Sequence, residues 1–135
     1  MVRRLAPALL VLLLPACASA SDPAIPVYQP PTGINPVLEG PIAGAPELHL
    51  VVGDLVMAAG STIPRHRHSG EEFLYVIGGS ATVSREGEPD VVLGPGQSVR
   101  IAPGTVHWGS VGPDGMRGIS SWVVVNGQPL RTSAE

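Results

Sequence analysis

The chain has 135 residues, which is enough for one domain with a hydrophobic core but not for two. Its formal net charge is −3, and because Arg3 and Arg4 fall in an N-terminal apolar segment, the remainder is more acidic still. This balance argues against a basic surface for nucleic acid. The chain has no lysine, which excludes a Schiff-base or P-loop lysine, and its single cysteine, Cys17, excludes an intramolecular disulfide.

Residues 1–20 have the features of a signal peptide. Arg3 and Arg4 form a positively charged start, residues 5–14 are mostly apolar, and residues 18–20 offer the small side chains of a cleavage site. The apolar run is too short to span a bilayer as a mature anchor. We therefore expect an exported protein, either periplasmic or secreted.

A second interpretation of the same region involves a lipid anchor. Residues 14–17, Leu-Pro-Ala-Cys, resemble a bacterial lipobox, in which the cysteine is lipidated and becomes the mature N-terminus. Cys17 would then hold the exported protein at a membrane as a lipoprotein. The two interpretations predict different mature N-termini, and the sequence leaves both open.

A proline-rich segment, residues 21–46, follows the export signal. Proline lacks an N–H and has a fixed φ, so both a regular helix and a central strand are unfavourable in this segment. We expect an extended arm that lies along the folded domain. That domain is predicted to occupy residues 47–127, with residues 128–135 as a C-terminal tail.

From residue 47 onwards, short β-type runs alternate with glycine- and proline-containing turns. The predicted strands are residues 48–57, 72–77, 81–85, 91–93, 98–102, 107–111 and 116–125. Gly78 and Gly79 are predicted to reverse the chain tightly, with one of them at positive φ. About seven or eight short strands without any helical periodicity indicate an all-β sandwich or small barrel.

Three of the four histidines and one glutamate form a candidate metal site. His66 and His68 are alternate residues of one strand, so their side chains lie on the same face. Residues 69–71 can turn the chain back so that Glu72 opens the next strand, and His107 can approach from a neighbouring strand. Three imidazoles and a carboxylate suit one divalent transition metal: iron, manganese, nickel, cobalt or zinc. His49 has no partner at ligand spacing and is interpreted as a structural or surface residue.

The spacing around these residues resembles the first motif of the cupin family. Five residues separate Gly60 from His66, three separate His68 from Glu72, and six separate Glu72 from Gly79. The alternative, in which His66 and His68 are merely exposed strand residues, leaves this spacing a coincidence.

The second cupin motif is matched more loosely by Gly96, Gly104 and His107. Ala102 stands where the family usually has proline, and Val111 stands where asparagine is common. The resemblance spans roughly residues 48–125. It implies a cupin double-stranded β-helix, or jelly-roll barrel, with His66, His68, Glu72 and His107 as metal ligands, and it also implies pairing of two copies as a homodimer.

The predicted interior is otherwise apolar. Leu74, Val76, Val99 and Ile101 are placed inward, and no second acidic residue or extra histidine clearly joins them. This pattern favours a metal-dependent enzyme, dioxygenase-like, that acts on a small apolar or phenolic molecule. The alternative is a non-catalytic small-molecule or metal-binding cupin of the cell envelope. No catalytic residue beyond the metal ligands is identified.

Two aromatic side chains are predicted on the outer surface. Phe73 and Tyr75 alternate with the inward residues of the same strand and would supply apolar surface for the homodimer contact. Trp122 is interpreted as a packing residue.

Overall fold

The computed structural model describes residues 25–135, and these residues form an eight-stranded, wholly antiparallel sheet. The strands are β1 (Gly33–Ile42), β2 (Ala45–Met57), β3 (Thr62–Arg67), β4 (Glu72–Arg85), β5 (Val91–Leu93), β6 (Ser98–Ile101), β7 (His107–Val125) and β8 (Thr132–Ser133). The predicted all-β jelly-roll barrel is confirmed. Within residues 25–135 no helix has the length and apolar character needed to cross a membrane.

Strand β7 organises the barrel because it pairs with three other strands. Its first residues pair with β3 and with the end of β4, whereas its later residues pair with β2 and with the beginning of β4. Strands β5 and β6 add to β4 on its other side, β1 adds to β2, and β8 adds to β3. The starts of β4 and β7 and the end of β3 are thereby brought to one region of the barrel interior.

The alternation of side chains along β4 separates the core from the surface. Leu74 and Val76 are buried in the core, as predicted. Phe73 and Tyr75 are 43% and 48% exposed, so their predicted outward orientation is confirmed. Homodimer formation through this outer face stays a prediction.

Gly79 adopts the predicted positive φ, at +68°, but the predicted reversal of the chain at this point is wrong. Strand β4 continues through Gly79, and its pairing register with β7 shifts on both sides of the glycine. Gly79 therefore bends the strand as a β-bulge does, instead of ending it. Strand β7 bends at the same place, at Gly115, and remains one strand where two were predicted.

The first strand begins earlier than predicted, within the proline-rich segment. Strand β1 pairs with β2 along its whole length, and its register shifts at two points, next to Pro36 and next to Pro41. Proline is tolerated here because β1 is an edge strand and because a bulge needs no ladder hydrogen bond from the proline nitrogen. The signal peptide, residues 1–20, and the lipidation site, Cys17, lie outside the described residues and stay predictions.

Candidate metal centre

The four predicted ligands lie together in the barrel interior. His66 is near the end of β3, His68 follows that strand, and Glu72 and His107 are the first residues of β4 and β7. His66 is paired directly with His107 across the β3–β7 ladder, which puts the two side chains on one face. All four residues are buried, and one potential ligand atom from each lies within 4.8 Å of the others.

Backbone carbonyl groups set the tautomer of all three imidazoles. The Nδ1 atom of each ring bonds to a backbone oxygen: His66 to Pro64 (2.8 Å), His107 to Thr105 (2.9 Å), and His68 to Leu130. A carbonyl oxygen can only accept, so each Nδ1 carries the hydrogen and donates it. When the rings are neutral, every Nε2 atom therefore presents a lone pair to the interior, as a metal ligand must.

The two carboxylate oxygens of Glu72 have different partners. Oε2 lies 3.0 Å from Nε2 of His68 and 3.2 Å from Nε2 of His107. Oε1 accepts a hydrogen bond of 2.6 Å from the hydroxyl of Ser120, which is completely buried. Ser120 is diagonal to Glu72 across the β4–β7 ladder, since Glu72 pairs with Trp122 two residues further on. The serine thus directs Oε2 towards the histidines.

Ser120 was missed by the sequence analysis, although one signal pointed to it. The alternation along residues 116–125 puts position 120 on the same face as Trp122. A serine on an inward face is a buried polar group that needs a partner.

The donor atoms fit a divalent metal ion. Nε2 of His68 is buried, and it forms no hydrogen bond of acceptable geometry with any residue from 25 to 135, although it lies close to Oε2 of Glu72. A lone pair aimed at a carboxylate without bonding to it is the arrangement expected of two ligands that share one ion. Three imidazole nitrogens and one carboxylate oxygen suit the late first-row metals and do not select among them.

The shifted pKa values of the ligands indicate where a proton competes with a metal ion for the same ligand atom. Burial alone would raise the pKa of Glu72, but the hydrogen bonds with His107 and Ser120 and the proximity of the His68 ring lower it well below its usual range. Burial lowers the pKa of His66, and the neighbouring His107 and His68 add to this effect. Burial also opposes protonation of His107, but its hydrogen bond to Glu72 outweighs this and raises the pKa. His107 therefore holds a proton more strongly than His66 does.

The cluster forms part of the wall of a cavity of about 320 Å³. The wall is otherwise largely apolar, with the side chains of Leu55, Met57, Ile63, Leu74, Ile101 and Met116 among those that line it. Glu72 is the only acidic residue of the described part that lines the cavity, in agreement with the prediction. Trp122 is buried as expected and also borders the cavity, with its ring centroid 6.1 Å from that of His68.

Two further residues of the described part clarify the limits of the site. His49 lies outside the cluster, and its Nδ1 atom is 2.9 Å from the side-chain oxygen of Asn126, which supports the structural role assigned to it. Arg131, in the predicted C-terminal tail, lines the cavity and was not foreseen.

Residues 53–117 match the family model described as the Cupin domain. A cupin-like protein of Thermotoga maritima is 29% identical, with a TM-score of 0.58 over 63% of this chain and 64% of that protein. The DMSP lyase DddQ of Ruegeria pomeroyi is 25% identical, with a TM-score of 0.55 over 65% of this chain and 43% of the lyase. The chain thus spans less than two thirds of the length of both proteins.

A more distant structure shares the fold alone. The oxalate decarboxylase of Bacillus subtilis is 21% identical, with a TM-score of 0.52 over 64% of this chain and 24% of the decarboxylase. No curated protein is significantly similar to the chain. The matched family model, the antiparallel barrel and the motif residues that converge within it lead to one conclusion: the chain belongs to the cupin superfamily.

Proposed function

We propose that this cupin is a metal-dependent, dioxygenase-like enzyme that acts on a small organic molecule with a largely apolar body. One observation carries the proposal: a buried cluster of four ligands opens onto an apolar cavity of about 320 Å³. A cavity of this size lies at the lower end of the range for small-molecule sites.

Glu72 and the histidines would hold the ion, and the apolar wall would bind the organic molecule and exclude water. An iron ion held there would supply the Lewis-acid and one-electron redox chemistry that oxidation by dioxygen requires. Ser120 and His107 keep Glu72 ionised, because their hydrogen bonds lower its pKa. The described wall contributes no second carboxylate, so reactions that depend on such a group as acid or base are less well supported than oxidation.

Oxygen consumption by the Fe(II)-loaded protein tests this proposal. The protein should consume dioxygen in proportion to added substrate within a panel of small phenols and apolar organic acids. The His68→Ala variant should lose this activity, whereas the His49→Ala variant should retain it because His49 lies outside the cluster. Failure of the whole panel to stimulate oxygen consumption would contradict the oxidative proposal.

DMSP belongs in the same panel because the DMSP lyase DddQ is 25% identical over 65% of the chain. Cleavage of DMSP without oxygen consumption would show that the protein is a lyase and would contradict the proposed dioxygenase-like activity.

The second candidate is a non-catalytic cupin that binds a small molecule or a metal in the cell envelope. The apolar wall favours it, because a greasy cavity with few polar groups can bind a ligand without transforming it. Saturable binding of a panel member, with the bound molecule recovered unchanged from Fe(II)-loaded protein in air, would establish this alternative.

A further inference from the structure

The C-terminal segment brings a charged side chain to the cavity. Strand β8 pairs with β3, with Ser133 opposite His66 and Thr132 opposite Arg67. Continuing this register by one residue puts Arg131 opposite His68. Directly opposed residues of an antiparallel pair project to the same face, so Arg131 is on the face of the metal ligands. Arg131 lines the cavity and is nevertheless exposed, which locates it where the cavity meets solvent.

Arg131 has no acidic partner in the part of the chain that the structure describes. Four other arginines of that part each form an ion pair with a carboxylate: Arg65 with Glu86, Arg85 with Glu88, Arg100 with Glu71, and Arg117 with Asp54. Among residues 25–135, Arg131 is also the only lysine or arginine that lines the cavity. An unpaired guanidinium at the entrance of an apolar cavity gives that entrance a positive charge that no described residue neutralises.

We propose that Arg131 binds a carboxylate on the ligand of this cavity, so that the ligand is a small organic acid with an apolar body. The guanidinium presents paired N–H donors that match the two oxygens of a carboxylate. The apolar body of this molecule then fills the interior of the cavity and faces the four residues of the metal centre. This inference rests on the proposed function for the statement that the cavity is a substrate site, and it adds the chemical class of the substrate.

Paired probes of equal shape test this charge selection. A series of carboxylates from acetate to 3-phenylpropionate is compared, by isothermal titration calorimetry, with the corresponding neutral amides. In the wild-type protein, at least one carboxylate should bind about tenfold more tightly than its amide, as a charge-assisted hydrogen bond would require. The Arg131→Gln variant should lose this preference, and the Arg131→Lys variant should keep part of it.

Arg67→Gln is the matched control. Arg67 is an exposed arginine one position away in the same β3–β8 pairing, it does not line the cavity, and it has no acidic partner among the described residues. Its replacement should leave the preference for carboxylate unchanged. Equal binding of acid and amide by the wild-type protein, equal weakening of both probes in Arg131→Gln, or no binding by any probe would overturn the inference.

The measurement separates this inference from the proposed function when it is repeated on metal-free protein. A preference for carboxylate that depends on Arg131 and persists without metal would support the inference even if the loaded protein consumed no oxygen. A preference that persists in Arg131→Gln only when metal is present would assign carboxylate binding to the metal centre and contradict the role of Arg131.

Discussion

Ser120 shows how a single hydroxyl group can select the ligand atom of a metal site. Its hydrogen bond occupies Oε1 of Glu72, so only Oε2 faces the Nε2 atoms of His68 and His107. A carboxylate without this partner could rotate and present either oxygen. The serine therefore acts on the ion through Glu72, as outer-shell partners of metal ligands commonly do.

We predict that Ser120→Ala lowers metal affinity by about 10- to 100-fold, the usual effect of removing an outer-shell partner. Competition with a chromophoric chelator measures the affinity. Ser121→Ala is the control, because Ser121 is the next residue of β7 and faces the opposite side of the sheet. An unchanged affinity in Ser120→Ala would show that Glu72 is oriented without the serine.

The pKa shifts of His107 and His66 predict how metal binding depends on pH. The raised pKa of His107 means that a proton competes with the ion at a higher pH there than at a free imidazole. The lowered pKa of His66 leaves that ring neutral to a lower pH. Metal affinity should therefore be level in alkaline solution and fall by about tenfold per pH unit once the pH drops below the pKa of His107. Chelator competition across that range measures it, and an affinity that does not change on acidification would contradict the assigned ligand.

At the scale of the strands, the bend in β4 depends on the absence of a side chain at Gly79. Its φ of +68° lies in the left-handed region, and a Cβ atom there would collide with the backbone oxygen of Gly115 on β7. Gly78, its neighbour, has open space around the corresponding position. The bend lets both β4 and β7 continue as single strands from one part of the barrel to the other, across two shifts in their pairing register.

We predict that Gly79→Ala lowers the free energy of unfolding by at least about 2 kcal/mol, because backbone strain and a steric clash add. Gly78→Ala, the matched control, should change it by less than about 1 kcal/mol. Urea denaturation of the metal-free variants measures both. Equal stability of the two variants would mean that the bend accommodates a side chain.

The sequence predicts the site residues that are close together along the chain, but it does not predict those that long-range strand pairing brings to the site. His66, His68 and Glu72 are close in sequence, so strand alternation and one short turn are enough to bring them together. Ser120 and Arg131 reach the site only through the pairing of β7 with β4 and of β8 with β3. Alternation along residues 116–125 can show that Ser120 faces inward, but no local pattern shows which residue of another strand it contacts. Strand β1 was missed because prolines usually exclude strands, and the exception at a bulged edge depends on the neighbouring strand.

At the scale of the whole molecule, we propose that the protein is exported. Residues 1–20 carry the charged, apolar and small-residue regions of a signal peptide, and Cys17 offers a lipidation site. Mass spectrometry of protein from its own host should find an N-terminus near Ser21 or a lipidated Cys17. Cys17→Ser should move the protein from the membrane to the soluble fraction only if the lipid anchor exists. Protein that retains Met1 in the cytoplasm would contradict export.

The central claim is that His66, His68, Glu72 and His107 together hold one divalent metal ion, and metal analysis tests it most directly. After loading and removal of excess metal, elemental analysis should find about one ion per chain in the wild-type protein and in His49→Ala. The double variant His66→Ala, His68→Ala should retain less than about a tenth of this, and its Tm should no longer rise when metal is added, because ligand binding stabilises only the folded state that contains the site. Full metal occupancy in the double variant would contradict the account.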